Sequence, residues 1–481
     1  MTLRAPADQD LVVVGASGDL AARKLLPALY NLSVEGLLPA HGKVVGFATA
    51  DWDDAAFRNH AREAVRQHSR TGLDDRAFDV FAERLRYVAT GAGLAALKPA
   101  LGNERRLVYL AVPASAFTTL ITGMGSAGLA AGTSVIIEKP FGRDLASARA
   151  LNVALHEHFP EPRIFRIDHY LGKETVQNLL VFRFGNSVFE RIWNRDCVEQ
   201  VEITVAEELG VEQRGAFYEE TGAIRDIVQN HLFQLLSILA MEPPISFEAE
   251  ALRDEKVKLL RAVRTLEPHE VIRGQYVAGV VDGQPVPGYT DEPGVAKRST
   301  TETFAALCVH IDNWRWAGVP FLLRTGKRMA RRETAVILTF RSVPLHLFEG
   351  TDARPAHNRL RIRVQPDEGI DLDFEAKRPG PALVTGPVRM DFSYGESFKT
   401  SPPEAYERLL HDALLGDHTL FIREDEVERG WAIVEAVLEH PGAVHPYPAG
   451  SWGPKEVDTL ARRAGWHEFE PELAQTSDAS R

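Results

Sequence analysis

Two hydrophobic patterns divide the chain. Over roughly the first 170 residues, short apolar runs alternate with stretches whose apolar positions recur every three or four residues. Leu11-Val-Val-Val14 is wholly apolar, as expected of a strand covered on both faces. Lys43 to Thr49, Arg84 to Ala89, Arg106 to Val112 and Thr133 to Glu138 are further strand candidates. Leu20 to Leu32, Asp53 to Gln67, Ser115 to Ala130 and Asp144 to His158 carry helical spacing. Pro27 falls inside the first of these, so that helix either bends there or starts its regular part near it. Strands alternating with helices predict a doubly wound parallel sheet.

Beyond about residue 175 the pattern changes. A helix over Glu174 to Phe184 is followed by β-like segments at Val198 to Glu208, Thr303 to Asp312, Glu333 to Val343, Asn358 to Gln365, Gly369 to Glu375 and Val388 to Tyr394. Thr334 to Arg341 and Leu360 to Val364 alternate apolar with polar, as a sheet with one wet face does. The reading is α/β plus α+β: a dinucleotide-binding domain over 1–172 and a larger domain, over 173–481, on a mainly antiparallel sheet. Length likewise calls for two or more domains, because single cores stop growing well below 481 residues.

Composition adds exclusions. With 44% hydrophobic and 25% charged residues the chain is of ordinary globular type. A net charge of -12 disfavours nucleic acid and anionic membrane as general partners, so an anionic ligand needs local cations. Cys197 and Cys308 form no metal-like spacing, which fits a reducing cytoplasm and no metal site. The N-terminus carries no apolar signal core, no apolar run has spanning length, and the last eight residues read as a solvated tail.

Candidate chemistry collects at predicted strand ends, where ligands of doubly wound sheets sit. After the first strand come Gly15, Ala16, Ser17, Gly18, Asp19 and Leu20, a glycine turn opening a helix, whose amides suit a pyrophosphate. The spacing is G-x-x-G, shorter than the usual dinucleotide fingerprint. Later strand ends hold Thr49 to Asp51, Ala111 to Pro113, Glu138-Lys139-Pro140 and Asp168 to Lys173. If Ile167 to Tyr170 is extended, Asp168 and His169 face opposite ways and can serve different parts of a ligand.

In the second half, Ile224, Ile227, Val228, Leu232, Leu235 and Leu239 make a helical stripe that includes His231. A histidine on such a face is commonly a hydrogen-bonded core residue. Arg225-Asp226 and Gln229-Asn230 beside it keep a general base open as the other reading. In an α-helix Asp226 lies roughly 140° round from His231, so Asp168 is the better candidate to hold the imidazole. Arg324 to Arg332 is a basic, glycine-bearing loop able to take an anion.

Arg166-Ile-Asp-His-Tyr-Leu-Gly-Lys-Glu174 resembles the active-site signature of the glucose-6-phosphate dehydrogenase family. The resemblance continues through GASGDLAARKLLPALYNL, EKPFGRDL, IRDIVQNHL, NWRWAGVPFLLRTGK and YERLLHDALLGDH. It implies oxidation of glucose 6-phosphate at C1, with His231 as base and Asp168 behind it. His169, Tyr170 and Lys173 would then grip the phosphate, and Lys139, Glu207, Asp226 and Lys327 would orient the sugar; Arg332 is also assigned to the substrate. It further implies a cis Lys139-Pro140 peptide and a homodimer or homotetramer. The cofactor it implies is NADP, bound by Gly15 to Leu20, Ala111, Pro113 and Lys139. Yet Thr49 stands where the family's NADP users carry an arginine, and Asp51 would repel a 2'-phosphate, so NAD stays open; Arg23, Lys24 or Arg58 could compensate. Rival readings are an oxidoreductase of another sugar and a non-catalytic binder of sugar phosphate.

Overall fold

The computed structural model describes residues 4–345, 347, 357–398, 403–461 and 465–467; the tail predicted at 474–481 lies outside them. The first sheet is built from β1 (Asp10–Val14), β2 (Val44–Ala48), β3 (Leu85–Ala89), β4 (Arg106–Leu110), β5 (Thr133–Ile137) and β6 (Ile164–Ile167), in the order β3-β2-β1-β4-β5-β6 and all parallel. Every residue of β1 and β2 is buried, which is why these strands read as unbroken apolar runs. Strand order reverses between β1 and β4, the position where such sheets open a crevice for a ligand. The regular part of the first helix is Leu26–Val34, with Pro27 in its first turn, so no bend is needed.

The second sheet has nine strands: β7 (Val198–Ala206), β8 (Val271–Val277), then, past the small hairpin of β9 (Gly279–Val281) and β10 (Gln284–Val286), β11 (Phe304–Val309), β12 (Phe321–Gly326), β13 (Glu333–Phe340), β14 (Arg359–Gln365), β15 (Gly369–Lys377), β16 (Thr385–Ser393) and, past β17 (Phe421–Ile422), β18 (Val444–Pro448). Their order is β16-β15-β14-β13-β7-β12-β11-β8-β18. Neighbours are antiparallel except β7 with β12 and β8 with β18. The α/β plus α+β expectation is thus met.

The chain then returns to the first domain. β17 pairs antiparallel with β6, and the helices Ala405–Leu415 and Glu424–Glu439 pack on Leu26–Val34 and Leu145–His156. Residues 405–439 therefore sit spatially with the parallel sheet, although they follow the expected boundary at 172 by more than two hundred positions.

Candidate active site

Because β1, β4, β5 and β6 are parallel neighbours, their carboxyl ends line one sheet edge, spanning about 14 Å at ~4.8 Å per strand. At its start the chain leaves β1 through Gly15, whose φ is +90°, and a Cβ there would lie 2.2 Å from the Ala111 carbonyl oxygen at the end of β4. Only glycine allows so close an approach. The Gly18 amide donates to the Gly15 carbonyl at 2.9 Å, and a helix begins at Asp19. Ala16 is buried, Ser17, Leu20 and Ala111 are half-buried, and Gly18, Asp19 and Pro113 are exposed. This cradle fits a dinucleotide backbone.

Beyond β2, Thr49 and Asp51 are exposed. The candidate compensating cations have other partners. Lys24 Nζ donates to Glu404 Oε2 at 2.8 Å, Arg58 donates to the carbonyls of Ala82 and Leu85, and Arg23 pairs with Asp19 at 2.7 Å.

The segment after β6 is not extended. The amides of Leu171, Gly172 and Lys173 donate to the carbonyls of Asp168, His169 and Tyr170, a run of successive tight turns. The alternating-face argument therefore fails, and His169 does not point away from Asp168. Its ring lies 4.8 Å, edge-on, from that of His231, and the Tyr170 ring stacks on His231 at 4.3 Å. Curling the chain brings three adjacent side chains round one imidazole.

His231 rides on a helix that departs from the α geometry assumed above. Ile224–Leu232 is a π-helix, continued by the α-helix Phe233–Ala240. All its residues but Arg225 are buried, so it has no wet face to define a stripe. A break at Gly222, φ +63°, precedes it, and Glu302 Oε1 accepts from the Ile224 amide at 3.2 Å. Bonds in a π-helix run from i to i+5, so residues five apart stack. Asp226 is thereby on the same side as His231, not 140° round from it. It holds Lys139, whose Nζ donates to the Asp226 carbonyl at 2.7 Å and to Oδ1 at 3.0 Å; the Lys139-Pro140 peptide is cis.

His231 Nδ1 lies 2.6 Å from Asp168 Oδ1, which also accepts from the Tyr170 amide at 2.9 Å. Burial pushes the imidazole below its usual pKa against the pull of the Asp168 charge, so His231 is neutral at neutral pH. Burial alone would raise Asp168, but the charge and hydrogen bond of His231 and the Tyr170 amide hold it well below the carboxylate range. Asp226, likewise buried, is held low by Lys139 and Lys327. With Nδ1–H committed to Asp168, Nε2 is the free basic atom.

Further along, Lys173 Nζ donates to Gln365 Oε1 at 2.6 Å and sits 3.9 Å over the Tyr170 ring; Arg332 reaches the same oxygen at 3.4 Å. Burial and the Arg332 charge push Lys173 down to about 8. Two cations thus meet on one neutral amide oxygen. Lys327 is buried and pairs with Glu207 Oε2. The structure thus gathers Lys139, Asp168, His169, Tyr170, Lys173, Asp226 and His231, while the charges of Glu207 and Arg332 bear on Tyr170 and that of Lys327 on Asp226. Glu138 stands at a strand end the sequence marks, but its partner Tyr406, and Gln365 under the two cations, carry no such mark. Gln365 precedes a proline, the only local signal it carries, and Tyr406 lies 268 positions from the Glu138 it bonds.

Residues 12–178 match the family described as glucose-6-phosphate dehydrogenase, NAD binding domain, and 180–469 match glucose-6-phosphate dehydrogenase, C-terminal domain. The chain is 46% identical to glucose-6-phosphate 1-dehydrogenase 2 of Mycobacterium tuberculosis, covering 95% of this chain and 93% of that protein. It is 44% identical to the Treponema pallidum glucose-6-phosphate 1-dehydrogenase, over 95% and 94%. A crystal structure of the Mycobacterium avium glucose-6-phosphate 1-dehydrogenase superposes with a TM-score of 0.86 at 39% identity, over 98% and 100% of the two chains. A glucose-6-phosphate dehydrogenase in complex with its substrate superposes at 0.88 and 36%, with the same coverage. The chain belongs to the glucose-6-phosphate dehydrogenase family.

Proposed function

We propose that the protein oxidises glucose 6-phosphate to 6-phosphoglucono-1,5-lactone, the first step of the oxidative pentose phosphate pathway. The observation that carries this reading is the buried 2.6 Å contact of His231 Nδ1 with Asp168 Oδ1 beside Lys139. His231 Nε2 takes the proton from the C1 hydroxyl, and Asp168 steadies the imidazolium that results. Lys173 and Arg332, with His169 and Tyr170, bind the phosphate; Lys139, Asp226, Glu207 and Lys327 bind the ring hydroxyls. Holding C1 in one orientation contributes much of the acceleration. Gly15 to Leu20, Thr49, Ala111, Pro113 and Lys139 would hold a nicotinamide dinucleotide, which would supply the acceptor for the hydride leaving C1. His231→Asn should lower kcat by roughly 10²–10⁴-fold with KM little changed; turnover near wild type would reject the assignment.

The same proposal gives NAD as the better cofactor, reversing the slight lead that family resemblance lends to NADP. Thr49 brings no charge, Asp51 is an exposed acid, and Lys24 and Arg58 are engaged elsewhere. A charge-assisted contact contributes about 1.5–3 kcal/mol, so Thr49→Arg should raise kcat/KM for NADP by roughly 10–150-fold and leave NAD nearly unchanged. Equal use of both cofactors by wild type would refute the preference. For assembly we propose a homodimer through the second sheet, where Val388 and Met390 of β16 are exposed; light scattering at the monomer mass would overturn it.

A further inference from the structure

The first turn of the helix Ala405–Leu415 touches three parts of the site from the far end of the sequence. Tyr406 Oη donates to Glu138 Oε1 at 3.1 Å, an oxygen that also accepts from Tyr109 Oη at 2.5 Å. The Tyr406 ring lies parallel to that of His169, 6.2 Å away with 10° between planes. Gly172 packs so closely on this turn that a Cβ there would stand 2.8 Å from the Ala405 carbonyl oxygen. Glu404, just before, holds Lys24 on the helix that follows the glycine turn. Glu138 itself immediately precedes Lys139.

We infer that Glu138 and Tyr406 are positioning residues: the Tyr406 hydroxyl and ring lock Glu138 and His169, and through them Lys139 and Asp168, against His231. The inference deepens the proposed reaction and rests on it. Two tyrosyl hydroxyls on one carboxylate oxygen have no need to converge for packing alone, since a phenylalanine fills the same volume. Their effect is to favour the charged form of a carboxyl group that burial pushes up, beside the negative Asp168. In its charged form Glu138 would add, through Asp168 beside it, to the field that favours the His231 imidazolium.

The charged and titratable groups facing His231 are Asp168, His169 and Tyr170 from the turn after β6, Lys139 from the end of β5, and Asp226 on its own helix. Those facing Glu138 are Tyr109, Tyr406, Lys139 and Asp168. Removing the Tyr406 donor leaves Glu138 more readily protonated. His231 then loses part of the field that stabilises its imidazolium, so its pKa falls.

The test uses Tyr406→Phe, which keeps the ring, and Glu138→Gln, which keeps the shape. Each should move the acid limb of the kcat/KM profile to lower pH by a few tenths of a unit, and lower plateau kcat by up to roughly tenfold with KM for the sugar within about twofold. The double variant should be no worse than Glu138→Gln alone, because the hydroxyl acts through the carboxylate. His231 titrated by NMR should show the same downward shift, which reads the inference without turnover. Variants that merely melt earlier, with profile, kcat and titration unchanged, would overturn it, as would additive effects in the double variant. A wild type inert toward glucose 6-phosphate would reject the reaction, leaving the titration to decide the positioning.

Discussion

Lys173 gives the account its sharpest pH dependence. Its ammonium is mostly buried, sits over the Tyr170 ring and shares Gln365 Oε1 with Arg332. Burial first, then Arg332, push its pKa from 10.5 down to about 8. At about 1.36 kcal/mol per unit the free site stores roughly 3 kcal/mol against the charged lysine, which a bound dianion would relieve. Lysine loses its proton as pH rises through its pKa, so phosphate binding should weaken on the alkaline side of about 8. Sugar phosphates are dianionic throughout that range, their second pKa being about 6. KM for glucose 6-phosphate should therefore rise about tenfold for each unit above pH 8 until the lysine of the complex also titrates. Steady-state kinetics from pH 7 to 9.5 at saturating cofactor would measure this. Unphosphorylated glucose should show a flat KM over the same range, and Lys173→Arg should abolish the rise, because guanidinium does not titrate there. A flat KM for the phosphorylated sugar, or an equal rise for glucose, would refute the reasoning.

Other consequences follow from burial and close contact. Since burial lowers His231, activity should persist below pH 6.5 and fall only as the imidazole gains its proton; an acid limb above 6.5 would contradict this effect of burial. Gly15→Ala should cost roughly 1–3 kcal/mol from its positive φ, with further loss from the clash at Ala111, and should abolish nicotinamide fluorescence enhancement at cofactor concentrations that saturate wild type. Lys256 and Glu426, both buried, pair at 2.6 Å, so Lys256→Met should destabilise by about 3–5 kcal/mol in urea, and adding Glu426→Leu should restore much of it.

The parallel sheet was legible because its strands are buried on both faces and separated by amphipathic helices, which leaves unbroken apolar runs at regular intervals. The second sheet was only partly so. Phe321–Gly326 is a central strand hidden in a segment read for its motif, and Val271–Val277 contains Gly274, where a Cβ would stand 3.1 Å from the side chains of Phe304 and Tyr447. Val444–Pro448 carries two prolines, tolerated because among the described residues it is an edge strand paired with β8. Asp168 and His231 were found as a pair, but their surroundings were not. No local signal marks the change from α to π winding that turns Asp226 toward the site, nor the tight turns that fold His169 back on His231. The Glu138–Tyr406 contact joins residues whose nearness depends on the returning C-terminal helix, and periodicity says nothing about that.

The central claim is that Asp168 fixes the tautomer and charge of the base at His231. Single-turnover oxidation of 1-deuterated and ordinary glucose 6-phosphate by Asp168→Asn tests it most directly. The account predicts hydride transfer slowed by roughly 10²–10⁴-fold, with a full primary isotope effect and sugar binding nearly intact. Hydride transfer at the wild-type rate would contradict it.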